Sequence, residues 1–380
     1  MAIETAAADE LRDWTDRHSA GALRRYIIIV ALIFVVVGTP LAVLIVSLAH
    51  PFDALATPAQ LAAIQVQRPE TVILPVDLRF NAAFKLARVA EVQPEIVCFG
   101  SSRAGGFRAD MFAPHHFYNM SYTGWTTDQV LDIFERTTRV AHPRVVILEL
   151  DYFLFANHWQ QWFTIPRMMI HDQPFRYAME SLGSYLRAVI KNRAPFDAYR
   201  AAPSRFVGPE SIRNEEGFRS DGSYENSKAH VAYAQGHFLT ADHFVSTVPP
   251  DYAMSPGLQA PIEELAALAR QRGIKLVAVQ LPLLRSGVDV LDHDQSYGPR
   301  AGAWRDFEST QTRSWLAGLG IPLFDLAHSP VNNDPDNFID SVHLSDQGME
   351  KAMAELQADP AFRAAVDPDM PRARTAPMSP

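Results

Sequence analysis

Apolar positions change their period along this chain, and each change predicts an element. From Tyr26 to Ala49 they run on without a charge (YIIIVALIFVVVGTPLAVLIVSLA), a stretch longer than the about 20 residues a bilayer-crossing helix needs. This predicts one transmembrane helix. Helical spacing follows over Phe80 to Val89, and again over Thr126 to Val140 with Val130, Ile133, Phe134 and Thr137 on one face. Short apolar runs at Ile96–Phe99 and Val145–Leu150 predict strands buried on both faces. The rhythm resumes with a helix over Ala260 to Arg272 stopped by Gly273, and a strand over Lys275 to Leu281. A helix over Arg305 to Leu319, a strand over Pro322 to Leu326 and a helix over Asp346 to Gln357 complete it. Strands alternating with helices predict an α/β domain whose parallel sheet is covered on both faces.

The segments between these elements divide the chain. Residues 1–25 form a polar tail, 50–75 a stiff connector carrying Pro51, Pro58, Pro69 and Pro75, 76–360 the main domain, and 361–380 a flexible tail. Residues 155–252 break the rhythm as an insertion between strands and predict a lid or substrate-facing subdomain. Its Trp159, Trp162, Phe163, Met168, Met169, Phe175, Tyr177 and Tyr185 either stack on sugar rings or, the favoured alternative, form that subdomain's own core.

Charge orients the apolar span. Arg17, Arg24 and Arg25 precede it, and the next basic residue is Arg68. The excess of positive charge predicts a cytoplasmic N-terminus, a single pass through the inner membrane, and a periplasmic or extracellular domain. The rival is a cleavable signal peptide, whose apolar region runs about 7–15 residues; this one is longer and continues past Pro40. With 380 residues, 48% hydrophobic and 20% charged, the chain has the material for a sizeable core. A net charge of -9 leaves no basic stripe for phosphates and excludes a general nucleic-acid binder. The single Cys98 excludes an internal disulfide and sits within an apolar strand as a buried thiol.

Candidate chemistry begins at Asp340-Ser341-Val342-His343. An Asp three residues before a His on one turn lets the carboxylate fix the imidazole tautomer and stabilise the imidazolium. Ser102, in Gly100-Ser101-Ser102-Arg103 at the end of the Ile96–Phe99 strand, is the candidate nucleophile. Ser101 is its neighbouring alternative. The plainer roles are a Ser that caps a helix and an Asp that accepts backbone hydrogen bonds ahead of a helix capped by Ser345 or Asp346. Arg103 either orients a substrate carboxylate or carbonyl, or forms an ion pair. The histidines show no metal-ligand spacing and Gly105-Gly106 has no phosphate-loop context, so neither a metal nor a cofactor is expected.

With these residues the chain resembles the SGNH (GDSL-type) hydrolase superfamily. Ser102 matches its nucleophile block, and Asp340 and His343 its C-terminal block. Asn119-Met120-Ser121-Tyr122-Thr123-Gly124 approximates the second block, which carries Gly124 over as an oxyanion donor and makes Asn119 a site candidate. The third block departs: Glu149-Leu150-Asp151-Tyr152 has no Asn, and Asp151 stands where that donor is expected. The first block departs too, with Ser101 replacing the usual Asp. The resemblance implies a flavodoxin-like, three-layer domain. Its departures resemble the membrane-anchored branch related to polysaccharide O-acetylation and teichoic-acid D-alanylation proteins. That likeness implies a serine acyltransferase or esterase acting on O-acyl groups of an envelope polysaccharide, with a multispanning membrane O-acyltransferase as partner. The alternative is a catalytically degenerate domain that binds polysaccharide or scaffolds an envelope complex.

Overall fold

The computed structural model describes residues 21–40, 43, 56–76, 78–157, 176–183, 205–248, 251–294, 297–367 and 369. Trp159, Trp162, Phe163, Met168, Met169, Phe175 and Tyr185, the polar tail 1–20 and most of 41–55 lie outside these residues.

Five strands form the main sheet: β2 (Ile96–Phe99), β3 (Phe117–Asn119), β4 (Val145–Glu149), β8 (Lys275–Gln280) and β9 (Leu323–Asp325). They are ordered β3-β2-β4-β8-β9, and every neighbouring pair is parallel. This is the flavodoxin-like strand order, in which the chain leaves the first strand to one side and then crosses to the other. Alternate residues feed two cores. Val97, Phe99, Val146 and Leu148 enter one, and Ile96, Cys98, Val145 and Ile147 the other. Cys98 is fully buried.

Helices α1 (Asn81–Val92), α2 (Thr127–Val140) and α3 (Pro256–Gln271) pack side by side, with buried Val89, Val130, Phe134 and Leu265 in the first core. Helix α4 (Asp346–Ala358) puts Met349, Met353 and Leu356 into the second. The layers are therefore helix, sheet, helix.

The connector and the C-terminal tail differ from expectation. Within 50–75, Thr57 caps the helix Pro58–Gln67 through a reciprocal capping box with Gln60, and β1 (Val72–Ile73) follows. Strand β1 pairs with β5 (Phe206–Val207) and β6 (Gly217–Phe218), and β6 with β7 (Tyr224–Glu225), giving a second small sheet. A third core of Leu61, Ile73, Phe80, Phe84, Tyr177, Val207 and Phe218 joins connector, main domain and insertion. Proline-rich composition suggested a spacer; the buried Leu61 and Ile73 make the segment part of the fold. Tyr177 belongs to this core, edge-on to Phe80. The presumed tail forms a helix over Pro360–Val366, anchored by the fully buried Phe362.

Near the N-terminus, Gly21–Gly38 is helical, long and apolar enough to cross a membrane, and buries no residue against the rest of the chain. A signal sequence meets the same criteria.

Candidate active site

Strand β2 and strand β4 are neighbours whose following connections diverge, so a crevice opens at their C-terminal ends. Gly100 leaves β2 tightly against β4: a Cβ on it would lie 2.6 Å from Glu149 Cβ and 2.7 Å from Glu149 Oε2. Glu149 Oε2 accepts from Ser101 N at 2.8 Å and from Ser101 Oγ at 3.0 Å, while Ser101 Oγ accepts from Arg103 N at 3.2 Å. The Ser101 hydroxyl is thereby committed to holding the turn. Ser102 opens the short 3-10 helix that follows, partly exposed at the crevice.

The partner histidine comes from a turn before α4. Ile339 N donates to His343 O at 2.8 Å, which folds Asp340 and His343 together. Gly348 lets α4 approach that turn, since a Cβ there would fall 1.9 Å from Asn337 O. Ser102 Oγ lies 2.7 Å from His343 Nε2, and His343 Nδ1 lies 2.8 Å from Asp340 Oδ2 and 3.0 Å from Oδ1. Asp340 Oδ1 also accepts from Val342 N and His343 N, each at 2.8 Å. Burial opposes the Asp340 charge, but the His343 ring and the two backbone N–H groups outweigh it and hold the carboxyl well below the usual carboxylate range. An ionised Asp340 therefore faces Nδ1, which leaves Nε2 to take a proton from Ser102.

Arg103 is placed differently from a substrate-orienting cation. It is buried, with Nε donating to Val342 O at 3.0 Å and Nη2 to Leu281 O at 2.8 Å and Pro282 O at 2.7 Å. Its Nη1 pairs with Asp151 and lies 3.9 Å from Glu149 Oε1. The guanidinium thus ties the nucleophile turn, the ends of β4 and β8 and the His343 turn together, with its donors committed to protein. Asp151 is likewise buried in this pair, accepting from Tyr152 N at 2.9 Å, and does not line the crevice. An ionised carboxylate could not have replaced the Asn donor in any case.

Asn119 is also committed. Its amide donates to Ala104 O at 2.8 Å and Phe107 O at 2.9 Å, and its carbonyl accepts from Ser121 N at 2.8 Å. It supports the Ser102–Gly106 helix from below and does not line the crevice. Gly124 packs against the first turn of α2, with Val130 N 3.1 Å from where a Cβ would sit. The residue of this block that reaches the crevice is Tyr122, held at a left-handed φ of 62°. Lys85, absent from the sequence-level candidates, braces it: its fully buried Nζ donates to Asn119 O, Ser121 O and Gly222 O at 3.0, 2.7 and 2.8 Å. Burial draws the Lys85 pKa well down against the pull of Asp221, yet three carbonyl acceptors call for all three N–H of the ammonium.

The crevice has a volume of about 240 Å³. Besides the triad and Arg103, its lining includes Tyr122, Asp346 and, from the insertion, Tyr224, Asn226 and His230. Sequence reasoning missed these, and missed Glu149; a lone acid closing an apolar strand was the available signal for the last.

No protein-family model matches the sequence, and no curated protein does. Among solved structures it is similar to a GDSL-like lipase from Bacteroides thetaiotaomicron, at 13% identity over 76% of this chain and 100% of that one, with a TM-score of 0.36. It is also similar to a proposed acylhydrolase from Bacteroides fragilis, at 14% identity over 74% of this chain and 94% of that one, with a TM-score of 0.34. Likenesses this distant carry no functional inference.

Proposed function

We propose that this chain is a membrane-tethered serine acyltransferase or esterase that handles O-acyl groups through an acyl-Ser102 intermediate. The observation that carries the proposal is the relay from Ser102 Oγ through His343 to Asp340, with contacts of 2.7 and 2.8 Å. In the first step Ser102 Oγ attacks the ester carbonyl carbon and its proton passes to His343 Nε2. The leaving alkoxide takes that proton. An acceptor hydroxyl or water then gives its own proton to His343 and attacks the acyl carbon; the bond to Ser102 Oγ breaks, and Oγ takes the proton back from His343 Nε2. The Gly21–Gly38 helix supports a tether, and the sequence resemblance supports an envelope polysaccharide as acceptor and a multispanning acyltransferase as acyl supplier.

A fluorophosphonate should label the purified chain at Ser102, and p-nitrophenyl acetate should release nitrophenol. Ser102→Ala should abolish labelling and cut turnover by about 10³-fold or more, because the acyl-enzyme cannot form. A folded wild-type protein that neither labels nor turns over, with or without a candidate acyltransferase, would favour the polysaccharide-binding alternative.

A further inference from the structure

The insertion places a second histidine–carboxylate pair on the cavity that holds the triad. His230 sits in the first turn of the helix Lys228–His237, where its N–H donates to Ser227 Oγ at 3.1 Å. Its Nδ1 lies 3.1 Å from Glu216 Oε2. A carboxylate on Nδ1 fixes the tautomer with the proton on that nitrogen. Nε2 is then left as a hydrogen-bond acceptor on a residue that lines the cavity.

Two further observations describe what this wall receives. Tyr122 and Tyr224 stack at 4.8 Å between centroids and 26° between planes, and Tyr122 Cε2 lies only 2.8 Å from where a Cβ on Gly105 would sit. Aromatic surface therefore begins three residues past the nucleophile. The charged side chains lining the cavity among the described residues are Asp340, Asp346 and Arg103, and the Arg103 donors are committed to protein. Asp346 is paired with Arg219 Nη2 at 3.2 Å and Asp340 with His343, and with the Arg103 donors spent no arginine or lysine among the described lining residues is left to take an anionic ligand. Apolar ring faces, the Asn226 amide and an imidazole acceptor suit an uncharged molecule with several hydroxyls.

We propose that Tyr224, Asn226 and His230 form the acceptor subsite, binding an uncharged polyol so that one hydroxyl donates to His230 Nε2 while a neighbouring hydroxyl attacks the acyl-Ser102 carbonyl. The attacking hydroxyl gives its proton to His343, and His230 moves no proton. This subsite rests on the acyl-serine mechanism proposed above.

The test uses the full chain in detergent, with p-nitrophenyl acetate as donor and glycerol, methanol or glycerol 3-phosphate as acceptor, the acetylated products being quantified by mass spectrometry. Wild type should acetylate glycerol in preference to both other acceptors. His230→Ala should lose glycerol transfer about fivefold more than it loses fluorophosphonate labelling, the effect of one missing hydrogen bond. His230→Gln, which keeps an acceptor oxygen, should recover part of that loss. Should His230→Ala fail to fold, His230→Leu, which also lacks the acceptor, decides on the same ratio. Equal losses of labelling and transfer, a preference for glycerol 3-phosphate or methanol, or labelling without any transfer to glycerol would each overturn the subsite. A wild-type chain that does not label overturns the acyl-serine mechanism itself, and the subsite with it.

Discussion

At the residue scale the site turns on Asp340, whose environment permits a signed prediction. Its folded pKa is depressed below the unfolded value of about 3.9, so its stabilising contribution is fully present above about pH 4 and lost as pH falls through the folded pKa. Asp340→Asn should therefore lower the urea midpoint at pH 5, and the gap to wild type should narrow as pH falls toward 2.5. A gap that stays constant or widens on acidification would contradict the hydrogen bonds assigned to this carboxylate. The same substitution should cut turnover by about 10³- to 10⁴-fold, since an amide no longer selects the tautomer that leaves Nε2 free. Asp340, His343 and Ser102 were legible in the sequence because two of them share a turn and the third ends an apolar strand. Of the other candidates, Arg103 borders the crevice but spends its donors on protein, and Asn119 and Asp151 lie behind it, for one shared physical reason. Their polarity was visible, but whether a polar group faces substrate or is consumed by buried partners depends on contacts far away in sequence, such as Arg103 with Leu281 O and Val342 O.

At the scale of elements, periodicity located the α1, α2 and α4 helices and the β2, β4, β8 and β9 strands to within a few residues. It failed where local chemistry interrupts a pattern or tertiary contact creates one. The helix expected over Arg305 to Leu319 is two, Gly302–Phe307 and Thr310–Gly318, because Ser309 caps the second by accepting from Thr312 N at 3.3 Å. Helix α3 begins four residues ahead of Ala260, with Pro256 at its first position, where a missing N–H does no harm, and Pro261 inside the helix, where the bond to Gly257 O is forgone. Strand β3, three residues long, gave too short a signal to find. The C-terminal helix Pro360–Val366 is held by Phe362, which is fully buried and meets Phe324 edge-on at 5.1 Å. Phe362→Ala should cost about 3–5 kcal/mol, read from chemical denaturation. Fluorophosphonate labelling of the folded variant should persist, because Phe362 lies in the second core and not on the crevice. A loss below 1 kcal/mol would mean that this helix is peripheral to the fold.

For the whole molecule, the decisive geometry is the meeting of Ser102 and His343 across 241 residues of sequence. Local patterns announce strands but not their order, so the crevice between β2 and β4 becomes visible with the sheet assembled. The Gly21–Gly38 helix buries no residue against the domain, so packing inside the chain does not account for its apolar surface; a membrane span or a signal sequence would. Arg17, Arg24 and Arg25 cluster before the apolar stretch and no basic residue follows until Arg68, an asymmetry that favours a cytoplasmic N-terminus. Expressed in a bacterium, the full chain fused at its C-terminus to alkaline phosphatase should be active, and the same chain fused to green fluorescent protein, exported unfolded, should be dark. Full-length mass retained in the membrane pellet after a carbonate wash would establish an anchor. A shortened, soluble product would make the helix a cleaved signal while leaving the domain on the same side, whereas a bright fluorescent fusion with inactive phosphatase would overturn the orientation and remove the case for an extracytoplasmic acceptor.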